Sequence, residues 1–318
     1  VAFFHAFSFA IWMQIWGCIM APMPLRQRLA NPYLLLMLTV LFWSGNWVVG
    51  RAFRGDVPPV ALAFWRWVIA FGCVCPFAWP HRAQLLPALR GHWLILTVLG
   101  LLGIAGYNTL AYVGLQTTTA TNGVLLNSFI PIVIIGLSWA FFGQRLVLRE
   151  GWGIAVSLIG VTVIVAHGEF ARLAGLTFNP GDLWIMASVV VWAAYTVLLR
   201  FRPAGLHPMV LLCLLTGVGI LGLTPFYAWE LMQGRLIHAT PAALAGMAYT
   251  GIFPAFLGYV FWNRAVAQVG GALAGLFIHV MPVATPLLAA VFLNETPHLY
   301  HFLGMGLILG GIVIASRR

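Results

Sequence analysis

Long apolar runs separated by short polar, glycine- or arginine-bearing connections set the pattern of this chain. The first lies at residues 32–53, and others follow at about 59–79, 92–114, 118–142 and 150–167. After a longer polar stretch, HGEFARLAGLTFNPGD, five more occupy about 181–200, 207–229, 241–265, 270–293 and 298–316. A helix needs ~20 apolar residues to cross a bilayer, and each run is close to that length. An outer-membrane barrel would instead alternate apolar and polar residues in shorter segments. The pattern predicts an all-α integral membrane protein with ten transmembrane helices.

The second five runs repeat the first five. Trp43, Arg51, Pro59 and Pro76 recur as Trp192, Arg200, Pro208 and Pro225, each 149 residues later. Pro131, Gly153 and Gly160 recur as Pro282, Gly304 and Gly311, each 151 later, so one two-residue insertion reconciles the offsets. A copy with an odd number of spans must enter the membrane in the opposite sense to its twin. The expected architecture is two inverted five-helix repeats, residues 31–168 and 181–318, preceded by an N-terminal apolar extension over 1–30. Two inverted halves around a midplane site are a common construction of secondary transporters. Residues 1–21 stand outside the repeat and have no positive n-region of a signal peptide. They read as an extra span, an interfacial helix, or non-native upstream sequence with a true start near Met23; the last is preferred because the repeat is complete without them.

Composition agrees with the membrane reading. The chain is 62% hydrophobic and 7% charged, with a mean hydropathy of +0.98, more apolar surface than a soluble domain could bury. The net charge of +10 is a topology signal rather than a nucleic-acid face, since all sixteen basic residues are Arg and most lie in short connections. With the start of the first span inside, the inner connections carry Arg26, Arg28, Arg82, Arg90, Arg145, Arg149, Arg200, Arg202, Arg264, Arg317 and Arg318. The outer ones carry Arg51, Arg54, Arg172 and Arg235, so both ends of the ten-helix unit are expected in the cytoplasm. Cys18, Cys73, Cys75 and Cys213 lie in apolar segments without a C-x-x-C pair and read as packing residues.

The acids Asp56, Glu150, Glu169, Asp182, Glu230 and Glu295 all fall in connections or at helix ends. A proton-coupled pump or an exporter of organic cations would place a carboxylate within the membrane. Uncoupled, downhill export fits its absence. His279, the mid-membrane candidate for titration, reads as a hydrogen-bonded packing group rather than a proton carrier. Arg66, between Trp65 and Trp67, reads as a residue near the interface that snorkels or caps carbonyls, with contact to a substrate carboxylate as the functional alternative.

Uncharged polar and aromatic residues form the stronger pattern. Trp43, Asn46, Trp47 and Gly50 share one stripe of the first span; Asn108 and Tyr112 share a face of the third, beside Tyr107. Asn122 and Asn127 precede Pro131 in the fourth, and Ser188, Trp192 and Tyr195 align in the sixth. Tyr259, Trp262 and Asn263 lie in the eighth, and His279 precedes Pro282 and Pro286 in the ninth. Hydrocarbon satisfies none of these groups, so they are expected to face a central cavity lined by spans 1, 3, 4, 6, 8 and 9. Spans 5 and 10 would pack outside, and Gly271-x-x-x-Gly275 and Gly306-x-x-x-Gly310 read as helix-packing motifs. The substrate-binding set is thus Trp43, Asn46, Tyr107, Asn108, Tyr112, Asn122, Asn127, Trp192, Tyr195, Tyr259, Trp262, Asn263 and His279, with Pro131 and Pro282 as hinges. No catalytic constellation and no metal-ligand cluster is visible; His298 and His301 lack a third partner, which leaves an integral membrane enzyme as the weaker alternative. No cofactor is implied.

Each half resembles an EamA domain of the drug/metabolite transporter superfamily. The first copy matches in W-S-G-N-W at Trp43–Trp47, Arg66, Pro131, G-Q-R-L at Gly143–Leu146 and the glycine spacing at Gly153–Val161. The second matches in G-D-L at Gly181–Leu183, W-A-A-Y-T at Trp192–Thr196, Pro282, N-E-T at Asn294–Thr296 and Gly304–Ile312. The family's usual G-E is Gly143-Gln144 in one copy and Asn294-Glu295 in the other, which argues for a structural Glu295. The richness in Trp, Tyr and Asn is most similar to the YddG-type aromatic amino-acid exporters. That resemblance implies a monomer in a bacterial inner membrane, exporting aromatic and other neutral amino acids by alternating access. The small-molecule substrate and the lipid bilayer would be its partners, and nucleic acid would not. A drug or other metabolite carrier of the same fold is the alternative; the lack of Lys speaks against a nucleotide sugar, and the lack of a membrane acid against organic cations.

Overall fold

The computed structural model describes residues 31–118, 120–143, 147–166, 180–293 and 299–316. The extension 1–30, the connection 167–179 with Glu169, Gln144–Leu146, and Asn294–Thr296 with Glu295 lie outside them.

All regular elements among the described residues are helical. The first half contains α1 (Pro32–Ala52), α2 (Pro59–Ala78), α3 (Leu85–Leu99), α4 (Tyr107–Thr117), α5 (Ala120–Asn127), α6 (Ile130–Phe142) and α7 (Leu148–Val165). The second contains α8 (Pro180–Leu198), α9 (Pro208–Met232), α10 (Pro241–Thr250), α11 (Gly258–Val269), α12 (Gly271–Phe277), α13 (Met281–Leu293) and α14 (Leu299–Ser316). A proline opens α1, α2, α8, α9 and α10, where its missing N–H would have had no intrahelical partner. Asn31 caps α1 by accepting from the Tyr33 N–H, and Thr240 caps α10 by accepting from the Ala243 N–H.

Among the described residues, six helices are long and apolar enough to cross a membrane. One of them, Pro59–Thr117, holds 59 residues, far more than one crossing requires. It turns where His81 (φ −105°, ψ 16°) and His92 (φ −136°, ψ 26°) leave helical geometry, so it supplies the second and third spans. The third span starts at Leu85, earlier than its apolar run.

Interruption is what distinguishes the inner spans. The third and eighth carry π-helical turns at Gly100–Gly106 and Gly251–Leu257, 151 residues apart. The fourth and ninth are broken one turn before their prolines. Ser128 and Phe129 separate α5 from α6, and a 3-10 turn, Ile278–Val280, separates α12 from α13. Proline has no N–H to continue the preceding ladder, so the chain re-enters helix with Pro131 and Pro282 in the first turn of the new segments.

Packing repeats with the sequence. α1 lies against α11 and α13; its counterpart α8 lies against α4 and α6. α2 packs on α9 and α7 on α14, while each π turn rests on the second helix of the other half. Residues at repeat spacing touch one another: Trp43 and Trp192 by their rings, Ser128 and His279 by a hydrogen bond, Ser157 and the Ile308 carbonyl by another. Positions exchanged by a two-fold meet only near its axis, so these three pairs trace the axis through the bundle. The α7–α14 crossing obeys it too. A Cβ on Gly160 would stand 2.6 Å from the Gly304 carbonyl oxygen, and one on Gly311 would meet the Gly153 carbonyl closer still. These glycines make the close approach, and not Gly306 and Gly310, where a Cβ would meet open space.

Two helix starts are secured across the halves. The buried Glu230 carboxylate, in the last turn of α9, accepts from the Val60 and Ala61 N–H groups at 3.3 and 2.7 Å, capping α2. At α9 the cap is His207, whose Nδ1 accepts from the Met209 N–H at 3.3 Å and whose ring stacks on His81 with centroids 3.8 Å apart. Desolvation, then the neighbouring His81, holds the His207 pKa below the ordinary histidine value. The unfolded chain therefore binds this proton more tightly than the folded one. The contribution is complete above about pH 6.5 and is lost as the pH falls toward the lower folded value. The thermal midpoint of the purified protein is expected to drop over that range, and His207→Gln to flatten the drop; an unchanged pH profile in the variant would refute the assignment.

Candidate functional site

Arg66 stands in the third turn of α2, seven residues after Pro59, and is 1% exposed. It does not snorkel, which corrects the interfacial reading. Trp65 and Trp67 sit on different faces: Trp65 is exposed and donates to the Tyr227 hydroxyl, whereas Trp67 is fully buried. The Arg66 guanidinium turns inward, and each of its hydrogen bonds runs through Nη1. The acceptors are Asn46 Oδ1 at 3.1 Å, Asn108 Oδ1 at 2.7 Å and the Tyr112 oxygen at 2.6 Å. Tyr112 in turn donates to Asn46 Oδ1 at 2.6 Å. The guanidinium carbon also lies 5.1 Å from the Trp67 ring centroid and 5.8 Å from that of Tyr112. Neutral dipoles and ring faces thus solvate the charge, without a carboxylate among the described residues.

An aromatic cluster adjoins this group on the two-fold axis. Trp192 of α8 meets Trp43 at 5.2 Å, Tyr107 at 4.7 Å, Tyr195 at 5.2 Å, Tyr259 at 5.6 Å and Trp262 at 6.0 Å between centroids. Trp43 and Trp262 are 5.0 Å apart, and Tyr259 stands edge-on to Trp67 at 5.0 Å. The rings touch each other, so in this state the cluster itself fills the space between the halves.

The interrupted spans hold the cluster in place. The Trp43 Nε1 donates to the Pro254 carbonyl at 3.1 Å, and the Tyr259 hydroxyl donates to the Gly103 carbonyl. Gly103 and Pro254 are repeat counterparts, each inside a π turn, and the carbonyl of each accepts from the opposite half. Gly103 must also be bare, because a Cβ there would enter the Tyr195 ring. In the broken fourth and ninth spans, His279 donates from Nε2 to the Ser128 carbonyl at 2.8 Å; a carbonyl only accepts, so this nitrogen carries the proton. Tyr107 donates to Asn127 Oδ1 at 2.9 Å, and Asn127 Nδ2 points to the Met281 sulfur at 3.8 Å.

The structure therefore gathers Trp43, Tyr107, Trp192, Tyr195, Tyr259 and Trp262 around the axis, and Asn46, Asn108 and Tyr112 around Arg66. Asn127 and His279 lie with the span breaks, and Asn263 is half-buried on α11. The Asn122 side chain lies outside the described residues. Sequence reasoning left out Trp67 and misplaced Arg66; the signal available was the pair Asn108 and Tyr112, one helical turn apart, which meets the charge. The described carboxylates sit at helix ends or in a connection, with Thr118 donating to Asp182 at the start of α8. Among the described residues no group of three His, Cys, Asp or Glu side chains could hold a metal.

Residues 30–166 and 179–317 each match the EamA-like transporter family. The chain is 25% identical over 287 residues to YyaM of Bacillus subtilis, an uncharacterized transporter, covering 90% of this chain and 93% of the relative. It is 26% identical over 292 residues to an uncharacterized transporter of Archaeoglobus fulgidus, covering 91% and 98%. It is 25% identical over 297 residues to a probable terminal-alkyne amino-acid exporter of Streptantibioticus cattleyicolor, covering 92% and 95%. A solved crystal structure superposes with a TM-score of 0.71 at 22% identity, over 90% of this chain and 96% of that one, which is a likeness of fold.

Proposed function

We propose that this chain, which belongs to the EamA-like transporter family, exports aromatic and other neutral amino acids across a bacterial inner membrane by alternating access. The observation that carries the reading is the joining of an aromatic cluster to a polar group at the seam between two inverted halves. Rings around Trp192 match an apolar or aromatic side chain, and the Asn46–Arg66–Asn108–Tyr112 group matches a polar end. The span breaks at Ser128 and at Ile278–Val280 give each half a place to bend, with Pro131 and Pro282 as hinges. The arginine bias supports an orientation with both ends of the ten-helix unit in the cytoplasm. A relative named as a probable amino-acid exporter supports this substrate class, and the family's transporters argue against an enzyme.

Counterflow in proteoliposomes tests the proposal. Vesicles loaded separately with Phe, Trp, Met or Thr are expected to take up the labelled form without any ion gradient, saturably, and to lose this in Asn46→Ala. Protein-dependent flux of some other metabolite, with no amino acid exchanged, would leave the fold standing and remove the substrate. Concentrative uptake that collapses with a proton or sodium gradient would overturn uncoupled transport.

A further inference from the structure

The polar group around Arg66 is unbalanced in one direction. Its unpartnered buried atoms are Arg66 Nε, Asn108 Nδ2 and Trp67 Nε1, and all three are N–H donors. The Asn108 amide cannot be flipped to relieve this, because its Oδ1 already accepts from Arg66. Farther into the ring cluster, Trp192 Nε1 and Trp262 Nε1 are also donors without acceptors, while the Tyr195 hydroxyl and the neutral acceptor Asn263 Oδ1 are unpartnered beside them. What the group lacks is an acceptor carrying negative charge. Every bond of Arg66 runs through Nη1, which leaves the Nε side of the planar guanidinium without a bond. A buried charge without a counter-ion is costly, and in a membrane it persists where something pairs with it.

We infer that Arg66, with Asn108 and Trp67, is the receptor for the carboxylate of the transported molecule. A carboxylate matches the guanidinium edge with two parallel hydrogen bonds, and one positive charge calls for a monoanion rather than a phosphate dianion. The amine of an amino acid finds no carboxylate among the described residues, only the neutral acceptor Asn263 Oδ1. The described acids are at helix ends or in a connection, Glu230 is occupied in capping α2, and Thr118 donates to Asp182. The substrate class is then an apolar or aromatic body bearing one carboxylate, with the amine dispensable. This rests on the reading of the same site as a substrate site, and it narrows what that site selects.

Competition on the wild-type protein tests it without relying on any variant. 3-Phenylpropionate should inhibit phenylalanine counterflow about as well as phenylalanine itself. Phenylalaninamide and phenethylamine, which lack the anion, should be weaker by about tenfold or more. The same probes are added to the purified full chain in a thermal-shift assay, where 3-phenylpropionate raises the midpoint and phenethylamine does not. Arg66→Gln should erase the preference for the acid, and Arg66→Lys should keep part of it. If phenylalanine is not exchanged but the carboxylate still shifts the midpoint, the amino-acid reading falls and this inference stands. If phenylalanine is exchanged and the amide or amine competes equally, transport stands and the inference falls. A thermal shift by no carboxylate overturns it as well.

Discussion

Trp192→Ala is expected to abolish exchange and to lower stability by about 3–5 kcal/mol, the range for truncating a buried aromatic residue. The size follows from its place: it is 1% exposed and joins rings from both halves, Trp43 and Tyr107 on one side and Tyr195, Tyr259 and Trp262 on the other. No neighbouring side chain can fill the space, because the flanking residues are themselves rings pinned by their own bonds, Trp43 to Pro254 and Tyr259 to Gly103. Trp192→Phe separates the two losses. It restores most of the ring contact while deleting the unpartnered Nε1, so it should recover stability ahead of exchange. Thermal unfolding in detergent and counterflow in vesicles are read side by side. Near-wild-type values for the alanine variant in both would show that the cluster is neither a keystone nor a site.

Gly311→Leu and Gly160→Leu each prevent the α7–α14 pair from closing. At both positions the obstacle is backbone, the carbonyl of Gly153 or of Gly304, so no rotamer change makes room. Overpacking costs about 1–3 kcal/mol where side chains can yield, and a clash with a carbonyl stands at the upper end of that range or above it. The expected result is loss of monodisperse folded protein. Gly306→Leu is the control, five residues away on the same helix with open space at its Cβ, and should behave as wild type. Equal tolerance at 306 and 311 would disprove this account of the crossing.

Much of this was legible in the chain because membrane helices announce themselves by apolar length and because the duplication preserved landmark residues. The stripe of Trp43, Asn46 and Trp47 read as one face, and all three are buried. Asn108 and Tyr112 read as sharing a face, and both reach Arg66. Three things were hidden. The π turns have no local signature: Gly100, Gly103 and Gly106 serve equally in a packed α-helix, and only the docking of Tyr259 and Trp43 shows why the ladder is widened there. The depth of Arg66 was masked by Trp65 and Trp67, which look like one interfacial belt until the helix sends them to different faces. The productive glycines of the last span were confused with their neighbours, since Gly306-x-x-x-Gly310 and the pair Gly304 and Gly311 interleave on one helix.

The position 149 residues after Arg66 is Leu215, buried as deeply but uncharged, and the counterparts of Asn46 and Tyr112 are Tyr195 and Asn263. In a carrier of two inverted copies, opening toward one side of the membrane and opening toward the other exchange the shapes of the copies. Identical copies would make those two forms equivalent by the two-fold rotation and equal in energy. Here the guanidinium belongs to one copy alone, so wetting it on one side of the membrane is a different event from wetting it on the other. Under the alternating access proposed above, the empty protein is expected to have a preferred resting face, and the forward and return strokes without cargo to differ in rate.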